Sequence, residues 1–287
     1  MAIDYDKLMA LEIPDGHQTY NFKDTILYNL SLGYGSDPLN RDELPFVYEK
    51  DLRAVPTMAG VLAHPGFWAR DLDTGIDWVR LVHSEMGLVM HKPLPAEASI
   101  ISKSRVLEIA DKGEGKGAIV QHERKFFDHQ SGELLCTNIQ SIFCRGDGGF
   151  GGPVRSLPPP HSIPERSPDH VYDQPTVPGA ALLYRLNGDW NPLHADPDVA
   201  SKAGFDRPIL HGLASYGIAC KAIIATLCDQ DPARISSIFC RFTAPVFPGE
   251  TLRTEMWIDD NIVSFRMRVI ERDVLAINNG KAELHPT

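Results

Sequence analysis

The chain has 287 residues, 43% hydrophobic and 23% charged, with a formal net charge of −10. Such a composition belongs to a globular chain of one large or two small domains, and the negative charge argues against general nucleic-acid binding. No run of about 18 apolar residues occurs, so no membrane-spanning helix is expected.

The N-terminal MAIDYDKLMALEIPDG lacks a basic region followed by an apolar core and does not read as a secretory signal. Strand-like alternation marks residues 99–110, 118–127 and 134–144, and a helix interrupted by Pro65 is expected over 57–69. Between the first two strands, Asp111-Lys112-Gly113-Glu114-Gly115 makes a Gly-rich turn. Its lysine either touches a phosphate or is a solvated hairpin tip. Residues 146–178 carry the densest Pro and Gly content and no sustained periodicity, so a linker is expected between two halves. The predicted division is 1–147, linker 148–177, and 178–287.

The halves share an order of features. Tyr28-Asn29-Leu30 leads to Gly33 in the first, as Tyr184-Arg185-Leu186 leads to Gly188 in the second. Lys92-Pro93-Leu94-Pro95 is echoed by Ala244-Pro245-Val246-Phe247-Pro248, and a tandem duplication is expected. From Gly212 onward, apolar residues at three- and four-residue steps predict a buried helix of about four turns. Strands follow over 235–242, 251–258, 262–271 and 274–284. A long buried helix followed by antiparallel strands implies an α+β layer in which the sheet wraps the helix.

The chain ends His285-Pro286-Thr287, which is not a Ser-Lys-Leu-type peroxisomal address. Five cysteines, an odd count with no Cys-x-x-Cys pair, suit buried reduced thiols, and a cytoplasmic location is expected.

The chemistry concentrates in Gly188-Asp189-Trp190-Asn191-Pro192-Leu193-His194. Asp189 and His194 are five apart and would not share a helical face. Pro192 instead drives Asn191 out of the helical region, so a turn can bring the carboxylate and imidazole to one water for proton transfer. Asn191 could orient that water. The plainer alternative is a turn in which Asp189 only caps a helix. A metal is not expected, because His194 and His211 are far apart and no His-x-x-x-His or His-x-His pair occurs. Gly212 opens the apolar helix, where a backbone amide at the positive end can hold an oxyanion. Phe242 reads as core or ligand contact, and Arg241 as a cation able to meet a phosphate.

The block Tyr184-Arg-Leu-Asn-Gly-Asp-Trp-Asn-Pro-Leu-His-Ala-Asp-Pro, with Ala203-Gly-Phe-Asp-Arg-Pro-Ile-Leu-His-Gly-Leu, resembles the signature of MaoC-like (R)-specific enoyl-CoA hydratases. Leu81-Val-His-Ser-Glu, Lys92-Pro-Leu-Pro, Asp111-Lys-Gly-Glu-Gly and Gly148-Gly-Phe-Gly-Gly extend the resemblance to the two-domain type found in peroxisomal multifunctional enzymes. It implies a double hot-dog fold: two antiparallel sheets, each wrapping a helix, packed edge to edge. It implies syn addition of water to trans-2-enoyl-CoA, giving (3R)-3-hydroxyacyl-CoA, without metal or redox cofactor. Asp189 and His194 then match the catalytic pair, Asn191 the supporting amide and Gly212 the oxyanion-hole amide. His83, Ser84, Lys112 and Phe242 match acyl-CoA contacts, although Ser84 stands where the family more usually has glycine. The resemblance further implies an acyl-CoA thioester as partner, an acyl-chain pocket in the first half, and long, branched or steroid side-chain acyl groups; self-association through an outer sheet or helix face, as in a homodimer, is a separate expectation. A hot-dog thioesterase and a non-catalytic acyl-CoA-binding module are the alternatives.

Overall fold

The computed structural model describes residues 3–152 and 158–286. Alternating burial builds ten strands: β1 (Gly16–Tyr20), β2 (Leu81–Met90), β3 (Ala98–Asp111), β4 (Ala118–Asp128), β5 (Leu134–Cys144), β6 (His170–Pro175), β7 (Ile235–Phe242), β8 (Thr251–Asp259), β9 (Ile262–Val269) and β10 (Val274–Leu284). In β4, Ala118, Val120, His122, Arg124 and Phe126 are buried while the residues between them are not. A pleated strand with one covered face requires that pattern.

All ten strands form one antiparallel sheet in the order β1-β3-β4-β5-β2-β7-β10-β9-β8-β6. From its outer edge inward, the first half runs 1-3-4-5-2 and the second runs 6-8-9-10-7, the same order twice. The expected pair of sheets thus meets edge to edge along β2 and β7, with Glu85 opposite Arg241 and Met86 opposite Cys240. β1 and β6 hold matching edge positions. β6 lies inside the segment expected as linker, where its short, mostly exposed run, ending in Pro175, hid a strand among prolines. Residues 153–157 of that segment lie outside the described residues.

Inside the second half lies the central helix Gly212–Leu227, buried from Ala214 through Ile224. Small residues let neighbours approach it closely. A Cβ on Gly217 would lie 2.5 Å from Leu32 Cδ2 of the first half. The helix expected over 57–69 is not formed. A 3-10 turn, Pro56–Gly60, and a short helix, Trp68–Asp71, stand in its place. Between them, Ala63 and Gly66 take positive φ, 43° and 86°, so the α-helical path is broken on both sides of Pro65. A ten-residue helix, Phe22–Ser31, went unread in the sequence. Its start carries a reciprocal cap in which Asn21 and Asp24 each accept the other's backbone N–H.

One apolar core runs through both halves, joining Tyr28, Phe46 and Met58 to Tyr184, Tyr216 and Ile223. A second cluster, around Trp68, Ile109, Val120 and Ile142, belongs to the first half alone. The halves are also tied by a buried charge. Lys221, on the central helix and 1% exposed, pairs with Glu43 at 3.0 Å. It also donates to Gly33 O and to Gln174 Oε1. Among the described residues no helix is long and apolar enough to cross a membrane.

Candidate active site

The residues 185–194 fold as two short turns that reverse the chain. The 3-10 turn Arg185–Asn187 ends at Gly188, whose φ of 114° is left-handed backbone that favours glycine. Asp189 follows and accepts the Asn191 N–H through Oδ1 at 3.2 Å. The Asn191 Oδ1 accepts the Leu193 N–H at 3.0 Å and so caps the turn Pro192–His194. Asn191 is exposed, and its carboxamide oxygen makes this cap. It shapes the loop through that bond, and one acceptor position of the oxygen and the amide N–H groups are left over.

His194 emerges buried, its Nδ1 2.8 Å from Ile209 O. A carbonyl only accepts, so Nδ1 carries the proton and Nε2 keeps its lone pair. Asp189, His194 and His211 each contribute an atom to a group whose members all lie within 4.8 Å of one another. That is room for one bridging water. The His194 and His211 rings stack at 3.7 Å. His211 Nε2 stands 3.4 Å from the Asp189 carbonyl, while its buried Nδ1 has no partner. Burial lowers the pKa of His194, and the Asp189 charge opposes that. Burial first, then His194, lowers His211 as well. Both rings are therefore neutral near pH 7.

The sequence separation of His194 and His211 misjudged their distance, because the loop between them folds back onto the start of the central helix. The three donors do not suit a metal all the same. Stacked rings only 27° apart in plane keep their lone pairs in two nearly parallel planes. One ion about 2.0–2.1 Å from both nitrogens needs them to converge.

Gly212 is the first residue of the central helix, where backbone N–H groups have no intrahelical partner. A Cβ there would meet the Phe242 ring at 3.4 Å, an ordinary contact. The fold itself thus tolerates a side chain, and the open face of this glycine is free for a ligand. His83 packs edge-on against Phe242 at 4.9 Å and holds Glu85 O at 3.1 Å across a bulge in β2. Burial pushes its pKa down to about 4, opposed by that hydrogen bond and by Asp189. His83, Phe242, Gly212 and the Asp189 group thus surround one place.

Two expected contacts lie elsewhere. Ser84 donates its hydroxyl to Ser141 O on β5, so it serves the bulge. Lys112 is exposed at the β3–β4 hairpin tip, which Asp111 ties to Gly149 and Gly151 by accepting their N–H groups. Among the described residues no hydrogen bond or ion pair joins Lys112 to the Asp189 group. Arg241 is held by Glu85 through two nitrogens, at 3.0 and 2.6 Å, across the seam between the halves.

Sequence reasoning missed a strap from the first half, residues 60–64. The Val61 carbonyl lies 3.9 Å from a Cβ placed on Gly188, and one placed on Gly60 would meet Leu213 at 3.8 Å. On this strap the pKa of His64 falls to about 4, through desolvation first and then Arg124, with Asp189 opposing. In the sequence His211 is weighed only as a metal ligand and as the neighbour of Gly212. Its signal was its place one residue before the helix start.

Residues 160–280 match the MaoC like domain, and residues 18–146 match the MFE-2 hydratase 2 N-terminal domain. The chain is 40% identical to an Arabidopsis thaliana protein named enoyl-CoA hydratase 2, peroxisomal, over 93% of this chain and 91% of that one. It is 41% identical to a Mycobacterium tuberculosis protein named 3-hydroxyacyl-thioester dehydratase Y, over 90% of this chain and 88% of that one. The crystal structure of a MaoC-like dehydratase from Phytophthora capsici is similar with a TM-score of 0.88 at 32% identity, covering 99% of this chain and all of that one.

Proposed function

Because the chain belongs to the MaoC-like enoyl-CoA hydratase 2 family, we propose that it adds water reversibly to trans-2-enoyl-CoA, giving (3R)-3-hydroxyacyl-CoA. The observation that carries the reading is the convergence of Asp189, His194 and His211 beside the helix start at Gly212. The thioester oxygen rests on the Gly212 amide, at the positive end of the central helix. Asp189 and the Nε2 lone pair of His194 hold one water over the double bond. His194 takes a proton from that water as its oxygen bonds to Cβ. Negative charge then gathers on the thioester oxygen, and Gly212 stabilises it. His194 then returns that proton to Cα from the same side and is neutral again, so hydroxyl and hydrogen enter on one face. His211 stacks on His194 and fixes its ring. No metal or redox cofactor enters this scheme.

In this reading residues 178–287 form the catalytic half and 1–147 the acyl-chain half, with 148–177 between them and β6 paired to the catalytic half. The missing helix of the first half supports the assignment, because a 3-10 turn fills less of the sheet's covered face than a 16-residue helix does. His83 and Phe242 flank the thioester. Lys112 reaches the coenzyme A phosphates from its hairpin tip, and Ser84 contributes through the bulge it holds. The acyl groups are long, branched or steroid side chains undergoing β-oxidation-type breakdown. The five cysteines, all free and buried, suit the cytoplasmic placement. Two copies of the chain associate as a homodimer.

Incubation with trans-2-enoyl-CoA tests the activity by mass spectrometry. Intact acyl-CoA heavier by one water, with the 3R configuration, is expected. Free coenzyme A would instead support thioester hydrolysis, and bound but unchanged substrate a non-catalytic carrier.

A further inference from the structure

The covered face of β4 holds a charge that the reaction above does not use. Arg124 is 5% exposed. Its Nη2 donates to Gly60 O at 2.8 Å, its Nε has no partner, and its guanidinium lies over the Phe126 ring. Among the described residues no carboxylate lies within ion-pair distance of it. Burial alone is the chief influence on its pKa, which falls to about 10. A buried cation without a counter-charge is costly.

Arg124 is not alone. Its cross-strand partners are Ser104 on β3 and Asn138 on β5, so the three side chains share one face. Ser104 Oγ and Asn138 Oδ1 are both buried and unpartnered. One step along β4, His122 presents an unpartnered buried Nδ1. Four orphaned polar atoms in one row demand a polar partner. The matching strand of the second half, β9, sets the contrast: its buried positions include Val263, Phe265, Met267 and Val269.

The row also adjoins the strap beside the central helix start. Gly60, whose carbonyl Arg124 binds, belongs to the strap that touches Leu213, the residue after Gly212. His64 on that strap feels both Arg124 and Asp189.

We propose that Arg124, with Ser104, His122 and Asn138, receives an oxygen function carried by the acyl chain, a carboxylate or a ketone placed beyond the reacting carbons. The inference rests on the hydratase reading and names its substrate class: acyl-CoA thioesters with an oxygenated chain. An unsubstituted alkyl chain would leave the guanidinium without a counter-charge, and its Nε and three further polar atoms without partners. A carboxylate supplies the missing counter-charge, and a ketone supplies an acceptor only.

The test compares three trans-2-enoyl-CoA substrates of equal length, ending in methyl, ketone or carboxylate. Wild-type kcat/KM is expected to be about 10-fold to 100-fold higher for an oxygenated chain than for the alkyl one, the range of a charge-assisted hydrogen bond. Arg124→Met should erase most of that ratio. If this variant does not fold, Ser104→Ala with Asn138→Leu should still shrink the ratio. Equal or better use of the alkyl chain by the wild type would overturn the inference, and so would an Arg124→Met loss that is the same for all three. Hydration of none of them would instead remove the hydratase reading beneath it.

Discussion

The two halves carry the same strand order, yet different things lie against their sheets. In the second half a 16-residue helix fills the covered face and begins at the candidate site. In the first half a five-residue 3-10 turn stands there, and its strap reaches across to the other half's site. The contrast teaches which part of a duplicated fold is constrained. Each strand must satisfy the backbone groups of two neighbours, so the sheet persists in both copies. A helix that only covers a face can shrink once another group fills the space. In the proposed reading one copy does the chemistry and the other shapes what reaches it.

That division can be broken first at its chemical end. Asp189→Asn keeps the side chain's shape and removes the carboxylate. It should lower kcat about 10³-fold, because the water that His194 deprotonates loses the carboxylate that positions it, while the circular dichroism spectrum is unchanged. Near-normal turnover would place the chemistry elsewhere.

The tie between the halves comes next. Lys221→Met strands the Glu43 carboxylate in a buried site, where Glu43 is 6% exposed. Breaking such a pair costs about 3–5 kcal/mol, read as a lower urea midpoint. An unmoved midpoint would show that the halves do not depend on the pair.

Acid should weaken the molecule through its neutral histidines. Burial is the main cause that lowers His122 to about 3 and His83 to about 4, and it lowers His194 and His211 too. Below the ordinary histidine pKa of about 6.5 the unfolded chain takes up protons that the folded chain refuses. Stability therefore falls as pH drops from about 6.5 toward 4, by up to about 1.4 kcal/mol per pH unit for each histidine. A Tm that stays flat from about pH 6.5 to 4.5 would contradict the neutral assignments.

The smallest effect sharpens the role of Gly212. Since a Cβ meets Phe242 at ordinary contact distance, Gly212→Ala should fold and gain a few tenths of a kcal/mol from helix propensity. It should nonetheless lose about 10-fold in kcat/KM, because the methyl group occupies the thioester's approach. Unchanged kcat/KM would mean the acyl group does not pass this glycine.

Much of this was legible in the chain. The strands of β3, β4 and β5 and those from β7 onward declare themselves by alternation, and the central helix by its apolar spacing. Asp189, His194 and Gly212 stand out as candidates because Gly-Asp-x-Asn-Pro and His-Gly-Leu are local signals. β6 was not, since a short exposed edge strand has little alternation to show. The 57–69 segment misled because its apolar content suits a helix, while Pro65 and the left-handed backbone at Ala63 and Gly66 decide otherwise. His211, His64 and the Arg124 row could not be read as site residues, because only the fold sets them beside residues distant in sequence.

The stereochemistry of addition tests the central claim most directly. Hydration of trans-2-enoyl-CoA in heavy water should give a product in which the C3 hydroxyl and a single C2 deuterium lie on the same face, by proton NMR. That is the outcome expected if one water is held between Asp189 and His194 as proposed. Deuterium on the opposite face, or scrambled between both, would contradict the account.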